Sequence, residues 1–121
     1  MSDSKYGPWQ TVTIADEGTD SSEVNLGAEF RDVQLYNPTI DNATLTIKPA
    51  RTASGTAIQA YTFNDGATGD FVNTTTTRTT AGMNVFKDIC ARYVTVVASL
   101  AQNGGPRTLY ARGIGLLGPN S

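Results

Sequence analysis

The sequence predicts an all-β protein of one domain, and three observations carry that expectation. Apolar and β-branched residues come in short runs that alternate with polar ones. Turn residues separate the runs at a spacing near the 8–12 residues usual in sandwiches and barrels. No segment keeps a helical period. With 121 residues there is length for one core and little for a second. The expected architecture is an antiparallel β-sandwich of jelly-roll type with about eight strands, a small β-barrel being the second choice.

The first eight residues, ending at Gly7-Pro8, are polar and aperiodic and read as a flexible N-terminal arm. The domain then occupies residues 9–121. Its first run is Trp9 to Ile14, followed by an acidic loop through Asp20. Ser22–Leu26 and Asp32–Tyr36 are the next two strands. In the latter, Val33 and Leu35 should face one way and Gln34 and Tyr36 the other, and Asn37-Pro38 stops the run.

The cleanest alternation is Ala43 to Lys48, with Leu45 and Ile47 inward and Pro49 closing it. Ile58–Phe63 follows, then the turn signal Asn64-Asp65-Gly66. Asp70–Thr77 reads as strand-like, and Asn84–Lys87 as a short strand. Arg92–Ala98 is the most apolar run and is expected at the centre of a sheet. After Gln102 to Pro106, Arg107–Ile114 makes the last strand. Eighteen threonines suit a solvated pleated surface.

Composition narrows the chemistry. The chain has no histidine and one cysteine, Cys90, so Ser-His-Asp and Cys-His nucleophilic sites and the usual zinc sites are unbuildable. The segment around Cys90 is apolar, which predicts a buried, inert thiol. No phosphate-cradling loop is present. Asp16, Glu17, Asp20 and Glu23 gather in one turn-like loop and read as a solvated acidic surface. Asp65 and Asp70 flank two glycines in a spacing that could offer oxygens to Ca²⁺, without matching an EF-hand. No catalytic, cofactor or metal site is expected, and the chain is read as not an enzyme.

Net charge is -2, and Lys48, Arg51, Arg78, Arg92, Arg107 and Arg112 are scattered. A phosphate backbone needs clustered positive charge, so no direct nucleic-acid partner is expected. No run approaches the ~20 apolar residues of a membrane helix. No secretory leader is evident at Met1–Tyr6. Synthesis in a cytoplasm is the expectation. The sequons at Asn42 and Asn73 read as accidents of composition.

Five aromatic residues stand out: Tyr6, Trp9, Tyr36, Tyr61 and Tyr110. They either pack in the core or against a neighbouring subunit, which is the favoured reading, or form a sugar-stacking platform. Exposed rings aligned on one face would favour sugars. Tyr6 and Trp9, beside the arm, are the candidate partner-binding anchors.

A longer pattern carries a family resemblance. Glu23-Val24-Asn25-Leu26-Gly27 is followed by Val33 to Ile47 with its Pro38-Thr39-Ile40-Asp41 turn. Arg92 to Val96 and Leu109 to Gly113 close the chain. In strand order this resembles small β-sandwich proteins among the virion structural proteins of tailed bacteriophages, usually head decoration or minor capsid components. The likeness spans Glu23 to Gly115 and lies in pattern, so it implies no site residues. It implies a virion protein on the capsid exterior, with the major capsid protein as partner and self-association, a trimer among the options. A tail or fibre component, or a carbohydrate-binding or adhesion module acting on surface glycans, is the alternative.

Overall fold

The computed structural model describes residues 6–57, 61–63, 70–72, 75, 79–103 and 105–117. All regular structure among them is β: β1 (Gln10–Ile14), β2 (Val24–Asn37), β3 (Leu45–Ala50), β4 (Tyr61–Phe63), β5 (Asp70–Val72), β6 (Gly82–Phe86), β7 (Ala91–Ala98) and β8 (Arg107–Leu116). Six of them form one antiparallel sheet in the order β1-β8-β2-β7-β3, with β6 also on β2. The other two, β4 and β5, make a separate two-stranded ribbon, Tyr61 opposite Val72 and Phe63 opposite Asp70. The Asn64–Gly66 turn, the side chains of Asp65 and Asp70 in the Ca²⁺ expectation, the start of the expected Ile58–Phe63 strand, the Asn73 sequon and most of the expected strand beyond Val72 lie outside the described residues.

The all-β class agrees with the sequence. One difference is instructive. Ser22–Leu26 and Asp32–Tyr36, expected as two strands, are the two halves of the single 14-residue β2. Its first part pairs with β7, Val24 opposite Val94 and Asn25 opposite Tyr93. Its second part lies between β8 and β6. The register slips between Asn25 and Phe30, and Gly27 sits there at φ 94°, its N–H donating to Asn25 Oδ1 at 2.8 Å. A bulge with a left-handed glycine interrupts the hydrophobic alternation without ending the strand.

β2 thus serves two neighbourhoods, and the chain before it helps join them. Ile14 bridges Ser21, and Asp20 bridges Val97, so the end of β1 is tied to β7 through that segment. The inward faces of six strands meet in one cluster. Val12, Ile14, Leu26, Val33, Leu35, Leu45, Ile47, Val94, Val96 and Leu109 are fully buried in it. Burial of that many branched side chains is the main stabilising term. The alternations expected at Val33–Tyr36 and at Leu45–Lys48 hold.

Strand β3 runs to Ala50, past the proline expected to close it. Leu45 accepts from Thr75 N–H at 2.9 Å and donates to Thr75 Oγ1 at 2.9 Å, so its backbone polar groups point away from β7. By alternation Pro49 points the same way, and its missing N–H costs the β3–β7 ladder nothing. β7, expected at the centre of the sheet, is an interior strand between β2 and the edge strand β3, and the middle place belongs to β2.

Cys90 is a third correction. Its thiol is exposed, not buried. Ile89 and Ala91 on either side point into the core, at 5% and 6% exposure, so the residue between them faces outward. The connection from β6 to β7 kinks through Asp88 and Cys90, both at positive φ. The turn is clamped on β2: Asp32 Oδ1 accepts from Asp88 N–H at 2.9 Å, and Arg31 C=O accepts from the Ile89 and Cys90 amides. Partial desolvation pushes the thiol pKa up, helped by the carboxylates of Asp88, Asp32 and Glu29 and opposed by Arg31. Such a thiol is the reverse of an activated nucleophile.

Candidate functional site

The acidic loop does not assemble a catalytic pair. Asp16 accepts from Gly105 N–H, Asp20 from the Thr19 hydroxyl, and Glu23 from Ser54 N–H, so these three carboxylates are engaged at three separate places. Gln102, fully buried, binds both backbone groups of Asp41 and the carbonyl of Leu100. Arg107 reaches Thr39 C=O, Asp41 and Asn103 C=O from the same end of the molecule. These groups fasten loops, and no group of three potential metal ligands occurs among the described residues.

The outer face of the sheet is different. Strand alternation sends Leu109, Ala111 and Gly113 inward from β8 and leaves Tyr110 and Arg112 outside. The same rule turns Gln34 and Tyr36 of β2 outward, and Met83 and Val85 of β6. Register then puts them in rows. Thr11, Tyr110, Tyr36 and Met83 are successive cross-strand partners, and beside them run Arg112, Gln34 and Val85. Tyr36 and Tyr110 have ring centroids 6.3 Å apart with planes tilted by 35°.

Trp9, just before β1, and Tyr6 complete the face. Tyr6 bridges Ile114, and Gly7 N–H donates to Gly113 C=O at 2.9 Å, which lays Tyr6 and Gly7, the end of the expected arm, along β8. The Arg112 guanidinium then lies 4.7 Å from the Tyr6 ring centroid and 4.6 Å from that of Trp9. Its Nε donates to Gln34 Oε1 at 2.7 Å. A guanidinium stacked on two rings and tethered at Nε is held in one orientation.

These residues are solvent-facing. Exposure is 54% for Tyr6, 40% for Trp9, 42% for Tyr110, 55% for Met83 and 49% for Val85. Trp9, Tyr36, Met83 and Tyr110 line a hollow of about 360 Å³. Scattered exposed apolar residues are ordinary, but a contiguous aromatic patch marks an interaction surface. A second hollow of about 340 Å³ includes Glu29, Arg51, Cys90 and Arg92. There Arg92 is already engaged by Asn25 and Tyr93, and opposite charges share the rim. We therefore take the aromatic face as the candidate site.

Tyr6 and Trp9, the anchors singled out from the sequence, are thus brought together on Arg112. Tyr36 and Tyr110 join them, and the side chain of Tyr61 lies outside the described residues. Arg112, Gln34, Met83 and Val85 were not identified from the sequence. Their outward parity was readable within each strand; that the strands lie side by side in this register was not. Comparisons with protein-family models, curated proteins and solved structures found no match.

Proposed function

We propose that the protein is a non-enzymatic structural component of a tailed-phage virion. In this reading it is a capsid decoration protein that binds the assembled major capsid protein lattice on the capsid exterior. The observation that carries the binding half of this reading is the aromatic outer face, six exposed or half-exposed apolar and aromatic side chains around one stacked arginine. The virion half rests on the strand pattern from Glu23 to Gly115 and its resemblance to phage β-sandwich proteins. The way β2 divides between two groups of strands around one core suits a two-layer, jelly-roll-like sandwich. A lattice partner present in many copies also stabilises the folded state by mass action. Self-association into a closed ring, a trimer included, fits placement at a symmetry axis.

A second reading has one specific observation behind it. The rings of Tyr6, Trp9 and Tyr110 are exposed and share a face, the arrangement that favours stacking on a sugar. A carbohydrate-binding or adhesion module would use them that way.

Co-sedimentation of the protein with purified particles, quantified by mass spectrometry against the major coat protein, separates the readings. Near-stoichiometric recovery with coat protein is the expected result. Recovery of a few copies per particle would move the protein to a vertex, neck or tail. Absence from particles, with dose-dependent glycan-array binding lost in Trp9→Ala, would replace the proposal with the adhesion reading.

A further inference from the structure

The groove and Arg112 together define what the partner must present. We propose that they form a composite docking site for an extended, acidic-apolar segment of the partner protein: an apolar side chain enters the hollow of Trp9, Tyr36, Met83 and Tyr110, and a carboxylate pairs with Arg112. This rests on the reading of the outer face as the docking face.

Charge complementarity selects the anion. The chain is net acidic, yet the cross-strand rows of this face hold no exposed carboxylate and present one guanidinium. Among the described residues, Arg112 engages Gln34 through Nε, and its Nη groups meet no protein acceptor. Stacking on Tyr6 and Trp9 fixes the fork, so little side-chain freedom is lost when a carboxylate arrives. One positive charge cannot track a phosphate backbone, which needs several.

The hollow selects the neighbour of that carboxylate. Its lining is three aromatic rings and a thioether, which suits a branched or flat apolar side chain and offers a saccharide few hydrogen-bond partners. Spacing sets the geometry. Tyr110 and Arg112 are two residues apart on one face of β8, roughly 7 Å along the strand. An extended partner running beside them presents its own alternate side chains at the same interval, so the apolar and acidic residues stand two apart.

The test uses the full chain, ¹⁵N-labelled, titrated with acetyl-Gly-Leu-Thr-Glu-Gly-amide and with the same probe carrying Gln for Glu or Ala for Leu. Trp9 is the only tryptophan, so one indole N–H resonance reports the site. Saturable shifts of that resonance and of the Tyr110 and Arg112 amides are expected. The Glu probe should bind about five- to tenfold more tightly than the Gln probe, the excess of a charge-assisted hydrogen bond over a neutral one. Replacing Leu by Ala should weaken binding at least as much. Arg112→Gln should erase the Glu-over-Gln preference while the melting temperature holds, and Arg112→Lys should keep only part of it.

Equal affinity for the Glu and Gln probes, or no saturation in the millimolar range, would overturn the proposal. So would Arg112-dependent binding of glucuronic acid with the peptide silent, which would make the face a saccharide site. Peptide failure beside intact particle association removes only this docking chemistry. Peptide binding without particle association removes the virion reading and leaves the docking site.

Discussion

Gly113 has no room for a side chain, because a Cβ built there would fall within the Phe30 ring. Phe30 is itself buried, and its ring also covers Gly7, where a Cβ would come within 2.8 Å. Gly113→Ala should therefore displace Phe30 and cost about 3 kcal/mol, at the upper end for an overpacked core. Urea denaturation checks this. In a Phe30→Leu background the added cost of Gly113→Ala should shrink, since the smaller side chain can move aside. Cys90 makes a second prediction at this scale. Its pKa is raised, so the reactive thiolate is scarcer in the folded protein than in the unfolded chain at any pH below the ordinary thiol range. Alkylation by iodoacetamide should be slower than for the same protein in urea, with the pH midpoint of the folded form displaced upward. A faster folded-state rate at neutral pH would show an activated thiol and contradict the geometry. Neither residue could be read this way from sequence. Phe30 is distant from Gly113 along the chain, and the apolar neighbours of Cys90 hide the parity that turns it outward.

At the scale of elements, Gly27 is the joint of β2. Nothing lies within 4 Å of a Cβ built there, so a substitution meets no steric neighbour and the cost is purely that of the backbone at φ 94°. Gly27→Ala should lose about 1 kcal/mol, and Gly27→Val more, because branching at Cβ makes left-handed backbone worse. Thermal or urea unfolding of the two variants measures the order; equal stability of all three proteins would mean the bulge relaxes without penalty. The joint also shows what pattern reading sees. Alternation identified both halves of β2, since Val24, Leu26, Val33 and Leu35 do face the core. The bulge broke the period, and a broken period looks like a strand end. Proline misled in the same way at Pro49, because its effect depends on which edge its nitrogen faces, a property of pairing and not of sequence. Strand existence and facing were therefore legible from local pattern, whereas strand continuity and neighbours were set by contacts far apart in the chain. The candidate site followed suit: its rings were visible as aromatic residues, and its arginine became visible only when β8, β2 and β6 were laid side by side.

For the whole molecule, the sheet assigns its two faces to different work. The inner face supplies the core, and the outer face, from Tyr6 to Val85, contributes little burial and presents a surface. Adjacent residues of one strand should then fail in opposite ways. Leu109 is fully buried and Tyr110 is 42% exposed. Leu109→Ala removes packed methyl groups and leaves a cavity, a loss of about 3 kcal/mol, a large share of the stability of a domain this size. Tyr110→Ala gives up chiefly the cross-strand contact with Tyr36, worth under about 1 kcal/mol. On the proposed function, the order reverses for binding. Tyr110→Ala should keep its melting temperature within a few degrees of the parent and lose particle association, and Trp9→Ala should do the same. Leu109→Ala, assayed well below its lowered melting temperature, should still associate, because the outer residues are untouched. Melting curves and co-sedimentation on the three variants read both axes at once. If Tyr110→Ala unfolded as readily as Leu109→Ala, the outer face would be part of the core of a larger assembly rather than a docking surface. If Tyr110→Ala stayed folded and bound as before, the contact with the particle would lie on another face of the sheet.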